Sequence, residues 1–398
     1  MPGLRLAAVL GGGVLGPLLA GIALALLIGR TLTGGPQLAY FASAGSRGAV
    51  YLHDFERGTA VPLYRTASQV VALSWSPDGR RLAFTTHDDG VFRLRSLDLD
   101  SGRAQLLTHI TASSQRPQWS PDGRRLAFLS QDGGVSVLYL LDADSGAVVE
   151  ALRGIVRGMS WSPDGASLVL GLLPGGDFLH NLTPGLYALP AECAGAAGCA
   201  PVHVAGSTQP CDQPVSGLDG CIAVSGSSGS LIGDYLPAWS PDGSRLAYLS
   251  FRPGSWQVYA LDAACLRLDA ACPAGPQRLT FEPELASAAP QWSPDGRWLV
   301  FQGWPGRVGA SVHVLDTACL GCPSAARQIS DWQDAAYAPA WSPDGRWLAY
   351  VARRPDFARI DVINTACLFD RTDCAASAHR IAYRGAVTWL PEWRPNKP

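Results

Sequence analysis

The pentapeptide Trp75-Ser-Pro-Asp-Gly79 is the strongest indication of the fold, because the same five residues recur along the chain. Six copies are complete, and a degenerate seventh, Trp393-Arg-Pro-Asn-Lys397, stands near the end of the 398 residues. Five of the six intervals between the repeat tryptophans are 42 to 53 residues long. Such periods are typical of β-propeller blades. The repeat tryptophans are Trp75, Trp119, Trp161, Trp239, Trp292, Trp341 and Trp393.

Each repeat predicts one four-stranded sheet. Ser-Pro-Asp-Gly favours a tight hairpin turn, because proline fixes φ, aspartate suits the next position and glycine adopts the left-handed conformation. A short strand with apolar residues on both faces follows, for example Leu82-Ala-Phe84. Two apolar faces indicate a sheet packed between neighbouring sheets. With two further strands in each repeat, the pattern predicts a propeller blade, in which the tryptophans pack between blades.

The two ends of the repeat region predict a closed ring. Residues 37–43 match the second strand of a repeat, but no Trp-Ser-Pro-Asp-Gly precedes them. The missing first strand is found at 387–393, so we expect these two segments to pair and remove the open sheet edges. The predicted fold is all-β: a seven-bladed β-propeller over residues 37–398. Six or eight blades remain alternatives, because the interval from Trp161 to Trp239 is 78 residues.

The N-terminal region predicts a membrane anchor. Between Arg5 and Arg30 lie 24 uncharged residues, which as a helix would span about 36 Å and cross a bilayer core of roughly 30 Å. A cleaved signal peptide is the alternative, although its apolar core is usually about 7–15 residues long. We therefore expect residues 1–36 to form an anchor and tether, with a transmembrane helix at about 6–29.

Ten cysteines predict disulfides and an oxidising compartment, so we expect the propeller on the extracytoplasmic side. Zinc is the alternative, but only one pair has Cys-x2-Cys spacing, which would also suit a redox motif. Four pairs lie where a strand connection is lengthened, and the fifth lies in an insertion at about 207–232. The predicted pairs are Cys193/Cys199, Cys211/Cys221, Cys265/Cys272, Cys319/Cys322 and Cys367/Cys374.

The composition and the motifs argue against several classes of function. A net charge of −2 argues against a nucleic-acid binder, and 47% hydrophobic with only 16% charged residues argues against disorder. The histidines are scattered, and the sequence lacks His-Glu-x-x-His, Gly-x-Ser-x-Gly and a phosphate-binding glycine loop. Calcium at the Asp-x-Asp-Ser-Gly turns after Asp98 and Asp142 is a weaker interpretation than structural turns. We predict no catalytic residues, no metal site and no cofactor.

The repeat W-S-P-D-G-x-x-L-A-[FY] resembles the PD40 (WD40-like) repeat of TolB-like periplasmic proteins. It is also similar to the repeat in propeller domains of prolyl-oligopeptidase-type peptidases. The resemblance covers nearly all of residues 37–398 and implies a propeller fold. The peptidase relatives carry a separate hydrolase domain with a nucleophile elbow, which this sequence lacks.

A complete ring without a catalytic set predicts a binding platform for a protein or peptide, or a subunit of a cell-envelope assembly. The predicted partners are the membrane, through the N-terminal helix, and a protein or peptide, with no nucleic acid. The alternative is an extracytoplasmic hydrolase or lyase, with carboxylates and histidines converging at the mouth of the propeller channel. Loop aromatics are the candidate interaction residues: Trp256, Trp304 and Trp332.

Overall fold

A computed structural model of the chain places the predicted repeats in one all-β arrangement. Among the residues that it describes, no helix is long and apolar enough to cross a membrane. The predicted anchor at 6–29 lies outside them. The structure describes residues 35–44, 47–107, 113–132, 135–173, 185–193, 201–206, 234–251, 256–266, 275–281, 285–305, 309–319, 326–354, 357–370, 372–381 and 387–395.

Short antiparallel strands make up almost all of the regular structure. The strands are β1 (Gln37–Ala44), β2 (Arg47–Asp54), β3 (Thr59–Thr66), β4 (Gln69–Trp75), β5 (Arg81–Asp88), β6 (Val91–Asp98), β7 (Arg103–Leu106), β8 (Ser113–Trp119), β9 (Arg125–Asp132), β10 (Val135–Asp142), β11 (Val148–Trp161), β12 (Ser167–Leu173), β13 (Gly185–Pro190), β14 (Val202–Gly206), β15 (Asp234–Trp239), β16 (Arg245–Phe251), β17 (Trp256–Asp262), β18 (Gln277–Arg278), β19 (Leu285–Trp292), β20 (Trp298–Pro305), β21 (Ser311–Asp316), β22 (Arg327–Gln328), β23 (Ala335–Trp341), β24 (Trp347–Arg354), β25 (Phe357–Asn364), β26 (His379–Ile381) and β27 (Val387–Trp393). The described helical elements are 3-10 turns at Ala191–Cys193, Ala263–Leu266 and Thr317–Cys319, and a short α-helix, α1 (Ala366–Asp370).

The strands form four-stranded groups that follow the repeat. Five sheets have four strands each, in the orders β27-β1-β2-β3, β4 to β7, β15 to β18, β19 to β22 and β23 to β26. A seven-stranded sheet joins β8 to β14, because the 14-residue strand β11 pairs with β10 through its first half and with β12 through its second. The sequence of β11 contains no proline, aspartate or asparagine that would favour a turn.

The Ser-Pro-Asp-Gly motif forms the predicted turn between the first and second strands of a group. In the first copy the Gly79 amide donates to the Ser76 carbonyl at 2.8 Å, and Gly79 has a φ of 64°. The buried Ser76 hydroxyl donates to Asp78 at 2.6 Å and accepts from the Arg81 amide at 2.8 Å. The motif is therefore a self-contained hydrogen-bonded unit, which explains why its four residues recur together.

Successive groups are joined by the repeat tryptophans. In four of the seven, the indole N–H donates to the carbonyl of the residue that precedes the repeat tryptophan of the neighbouring group, whereas the buried indole N–H groups of Trp119, Trp239 and Trp341 have no hydrogen-bond partner among the described residues. Four such bonds have lengths of 2.9 to 3.3 Å: Trp161 to Gln118, Trp292 to Ala238, Trp393 to Ala340, and Trp75 to Glu392. Because Trp75 belongs to β4 and Glu392 to β27, this chain of contacts connects the end of the repeat region to its beginning.

The last strand pairs with the first, as the sequence predicted. Trp393 lies opposite Leu38 in the antiparallel pair of β27 and β1, and both side chains are buried. Arg394, which stands where the other motifs have serine, donates from Nε to the Gly79 carbonyl at 2.7 Å and from Nη1 to Gln37 Oε1 at 2.9 Å. Its guanidinium also lies over the Trp75 ring, 5.5 Å from the centroid. Arg394 thus joins β27 to both β1 and the first motif turn.

One of the five predicted cysteine pairs is described completely. Cys367 and Cys374 form a disulfide with a Cα–Cα distance of 5.4 Å across the loop between β25 and β26. Cys265 is also disulfide-bonded. Each of the other four predicted pairs includes at least one residue outside the described ranges: Cys199, Cys211, Cys221, Cys272 and Cys322.

Removing the Cys367–Cys374 crosslink should lower the free energy of unfolding by about 2.5 kcal/mol, the loop-closure value for a short loop. The double variant Cys367→Ala/Cys374→Ala tests this in urea denaturation under non-reducing conditions. The control is the wild type with both cysteines intact in the same buffer, as verified by mass spectrometry. Equal unfolding midpoints and slopes would contradict the expectation.

Candidate functional site

The strand register separates two ends of the ring. The motif rim carries the Ser-Pro-Asp-Gly turns, and the opposite rim carries the other ends of the same strands. Trp256 pairs with Phe251 at the hairpin end remote from the motif turn, and Trp304 pairs with Ala286 at the start of β19. Trp332 lies just before β23, whose other end is a repeat tryptophan. All three candidate interaction residues therefore lie towards the opposite rim.

The three tryptophans differ strongly in exposure. Trp332 is 71% exposed, the highest value for a large apolar side chain among the residues that the structure describes. Trp304 is 41% exposed, whereas Trp256 is half-buried against Tyr235, with ring centroids 5.6 Å apart. The described part of the chain contains no ring contact among the three. They do not form a single aromatic surface, and Trp332 is the one best placed to contact a partner.

Trp332 lines a groove of about 450 Å³ on the outer flank of the ring. The groove lies between the outer strands β22 and β26, beside the disulfide loop that joins β25 to β26. Its other walls are mainly polar and include hydroxyl, amide, carboxylate and guanidinium groups. The polar residues around the indole are Gln328, Ser330, Asp331, Gln333, Asp373 and Arg380.

The disulfide loop holds one wall of the groove in place. Arg327 on β22 donates to the carbonyls of Cys367 and Thr372, which fixes the loop against the neighbouring sheet. On the other side, the Ser330 hydroxyl accepts from the Val312 amide at 3.1 Å. Both walls are thus attached to strands, so the groove is largely formed before any ligand binds.

A buried ion network holds the end of the Trp332 loop. Asp334 is 3% exposed and pairs with both Arg354 and Arg359. Arg359 also makes a two-pronged contact to Asp361, with Nε–Oδ1 and Nη2–Oδ2 distances of 2.7 and 3.0 Å. Burial opposes the charge of Arg359, but the hydrogen bonds and charge of Asp361, together with Asp334, raise its pKa. Such fork-shaped contacts restrict geometry, so they orient the loop that carries Trp332.

Most of the repeat tryptophans, for which the sequence predicted packing between blades, are buried. Trp75, Trp119, Trp161, Trp292 and Trp393 are 5–8% exposed, and Trp239 and Trp341 are half-buried.

The predicted insertion at 207–232 lies outside the described residues. Within the described ranges, no three histidine, cysteine or acidic residues are grouped so that they could hold a metal ion. The turn aspartates instead accept hydrogen bonds: Ser240 and Ser244 lower the pKa of Asp242 to about 2.

Trp332 was a candidate from the sequence, and the structure surrounds it with residues that the sequence analysis did not name. Asp373 and Arg380 lie more than 40 residues away in sequence and reach the groove only because β26 stands beside β22. One signal was available: the segment Ser330-Asp331-Trp332-Gln333-Asp334 places a tryptophan among polar residues between two strands. A tryptophan in such a segment is expected to be exposed, because its sequence neighbours offer no apolar surface to pack against.

The comparisons with known proteins concern mainly the fold. Residues 28–178 match the family model described as PD40, TolB beta propeller domain. No curated protein matches the chain. TolB from Acinetobacter baumannii is 16% identical with a TM-score of 0.52, covering 89% of this chain and 80% of that one. Oligogalacturonate lyase from Vibrio parahaemolyticus is 12% identical with a TM-score of 0.57, covering 82% and 91%.

A third similar structure comes from a study of two prolyl endopeptidases. It is 13% identical with a TM-score of 0.55, and 93% of this chain aligns to 52% of that one, about half of its length. At these identities the similarity shows the fold alone. The predicted resemblance is confirmed: residues 28–178 carry the PD40 repeat of TolB β-propeller domains, and the described chain has an all-β, propeller-like fold shared with TolB and with a prolyl endopeptidase.

Proposed function

We propose that this chain is a membrane-anchored, extracytoplasmic seven-bladed propeller that binds a protein or peptide without catalysing a reaction. The groove around Trp332 is the observation that carries the proposal. It combines an exposed indole with fixed polar walls, and aromatic anchors beside polar groups are typical of peptide and protein recognition. The 24 uncharged residues at 6–29 and the disulfides support the anchor and the compartment.

The seven-blade count follows from treating β11 as a strand shared by two blades. With that reading, the seven-stranded sheet divides into one group of β8 to β11 and another of β11 to β14. Together with the five four-stranded sheets, they give one blade for each repeat tryptophan. The contacts between inner strands support a ring, since β27 packs against β4, and β11, β15, β19, β23 and β27 pack in sequence.

The chemistry of the groove indicates the kind of segment that would bind. The Trp332 indole offers a flat apolar surface, and the groove wall carries the carboxylates of Asp331 and Asp373 and the guanidinium of Arg380; Asp331 also pairs with Arg354 at 3.9 Å. A partner segment would therefore place an apolar side chain on the indole and a cationic or N–H donor group towards the carboxylates. Arg380 would donate hydrogen bonds to a backbone carbonyl or an acidic group of the same segment.

The enzymatic alternative, a hydrolase or lyase at the channel mouth, needs carboxylates and histidines that converge there. Among the described residues we find no such cluster. The binding function is the one that the described side chains support.

Substituting Trp332→Ala should weaken binding of a peptide partner at least tenfold, because truncating a central aromatic anchor typically costs 1.4 kcal/mol or more, about tenfold. A displayed peptide library, enriched on the purified full chain in detergent, supplies the probe. Affinities of the enriched peptides are then compared for the wild type and Trp332→Ala. Trp304→Ala is the matched control, since Trp304 lies towards the same rim but outside the groove. Peptides that bind all three proteins equally would refute this site.

A further inference from the structure

A second site is formed where the inner strands β8 and β11 are irregular. In β8 the pairing with β9 skips between Gln115 and Gln118, and Arg116 has a φ of 52°. In β11 the pairing with β12 skips from Val156 to Gly158, so Arg157 has no partner residue on the adjacent strand. The same pairing skip recurs in β4, β15, β19 and β23, with a positive φ at Leu236, Ala289 and Ala338, so the bulge belongs to the repeat and redirects a side chain in each copy. Here each bulge presents an arginine.

Both arginines line the same cavity, which has a volume of about 240 Å³. The cavity wall also contains Gln131 and Ser136, whose side chains are hydrogen-bonded to each other at 2.9 Å. Among the described residues, no carboxylate lines this cavity, and neither arginine forms an ion pair. Two guanidinium groups therefore share a polar space without a described counter-charge.

The electrostatics of the pair are unfavourable without a ligand. Both arginines are exposed, yet the surrounding protein removes part of the water from Arg116 and lowers its pKa, and the charge of Arg157 lowers it further. Like charges held together cost energy that an anion between them would recover. The buried Tyr235 hydroxyl has no hydrogen-bond partner among the described residues, and it lies within the electrostatic influence of both Arg157 and the buried carboxylate of Asp234.

We propose that this cavity binds the oxyanion group of a small ligand, a phosphate or a carboxylate, between Arg116 and Arg157. Guanidinium groups present paired N–H donors that match both anions. The volume equals roughly eight water molecules at about 30 Å³ each, which suits a compact polyanion or the acidic end of a longer molecule. The site is separate from the Trp332 groove, which is built on β22 and β26, so the two proposals can fail independently.

Thermal unfolding of the full chain in detergent tests the proposal, with inorganic phosphate, citrate and sodium chloride titrated at matched ionic strength. We expect phosphate, citrate or both to raise the unfolding midpoint in a saturable way that sodium chloride does not reproduce. Phosphate alone would indicate a phosphate ligand, and citrate alone a carboxylate. The absence of a saturable shift with either anion would overturn the proposal.

Charge-removing variants locate the effect. Arg116→Gln and Arg157→Gln should each weaken the apparent anion affinity at least tenfold, whereas Arg103→Gln, an exposed arginine on β7, should leave it unchanged. Without anion, Arg116→Gln should unfold at a higher temperature than the wild type, since it removes a like-charge repulsion; this readout also shows that the variant folds. Unchanged affinity in both cavity variants, or a lower midpoint for unliganded Arg116→Gln, would contradict the site.

Discussion

Replacing Trp393 with alanine should lower the free energy of unfolding by about 4 kcal/mol, within the range for truncating a buried aromatic residue. Trp393 is 5% exposed, and its ring centroid lies 5.2 Å from that of Phe55. Its indole donates to the Ala340 carbonyl at 2.9 Å, and its backbone lies opposite Leu38. The substitution would therefore leave a cavity and an unpaired carbonyl where the last strand joins the first.

Trp332→Ala is the matched control for this prediction, because it makes the same chemical change at a side chain that is 71% exposed. We expect it to change the unfolding free energy by less than about 0.5 kcal/mol. Urea denaturation of both variants, followed by tryptophan fluorescence and circular dichroism, supplies the comparison. If the two variants lost equal stability, the closure of the ring through β27 would not be the interaction that holds it together.

Replacing Glu392 with glutamine should make the protein more stable at pH 8 by about 2 to 3 kcal/mol. Burial raises the pKa of Glu392 to about 7, from an ordinary value of 4.5. Between these values the folded protein keeps a proton that the unfolded chain has released. Stability therefore decreases as pH rises from about 4.5 through 7 and levels off above that range. A pKa shift from 4.5 to about 7 corresponds to about 3.4 kcal/mol, because each pKa unit is worth about 1.36 kcal/mol. Glu392 is partly exposed, so the expected effect on stability is smaller.

The measurement is the difference in unfolding free energy between Glu392→Gln and the wild type, determined in urea at several pH values from 4 to 9. The difference should be small near pH 4.5 and should grow up to about pH 8. Contributions from other titrating groups, such as the buried His53, are common to both proteins and cancel. Glu56→Gln, at an exposed glutamate, is the control and should show no such slope. A pH-independent difference for Glu392→Gln would show that this carboxyl is not desolvated.

The sequence alone determined the repeating sheets and the way in which the ring closes. Each Trp-Ser-Pro-Asp-Gly turn is built from hydrogen bonds within five or six residues, so its recurrence predicts the strands on either side. The pairing of 387–393 with 37–43 was also predictable, because a missing strand at one end matched an extra strand at the other. The sequence also indicated that Trp332 lies in a loop, whereas its high exposure is a finding of the structure.

The surroundings of Trp332 and the arginine cavity were decided only by the tertiary structure. Asp373 and Arg380 reach the groove because the sheet of β19 to β22 lies beside the sheet of β23 to β26, and Arg116 and Arg157 line one cavity although they lie on different inner strands. The repeats offered a partial signal, since the residues three before most repeat tryptophans are alanine, glycine or leucine, whereas one is Arg116. The hydrogen bonds of the turn form within each copy of the motif, so the sequence of one copy is enough to predict them. A site between sheets depends on which non-repeating side chains become neighbours, and that is set by the packing of the whole ring.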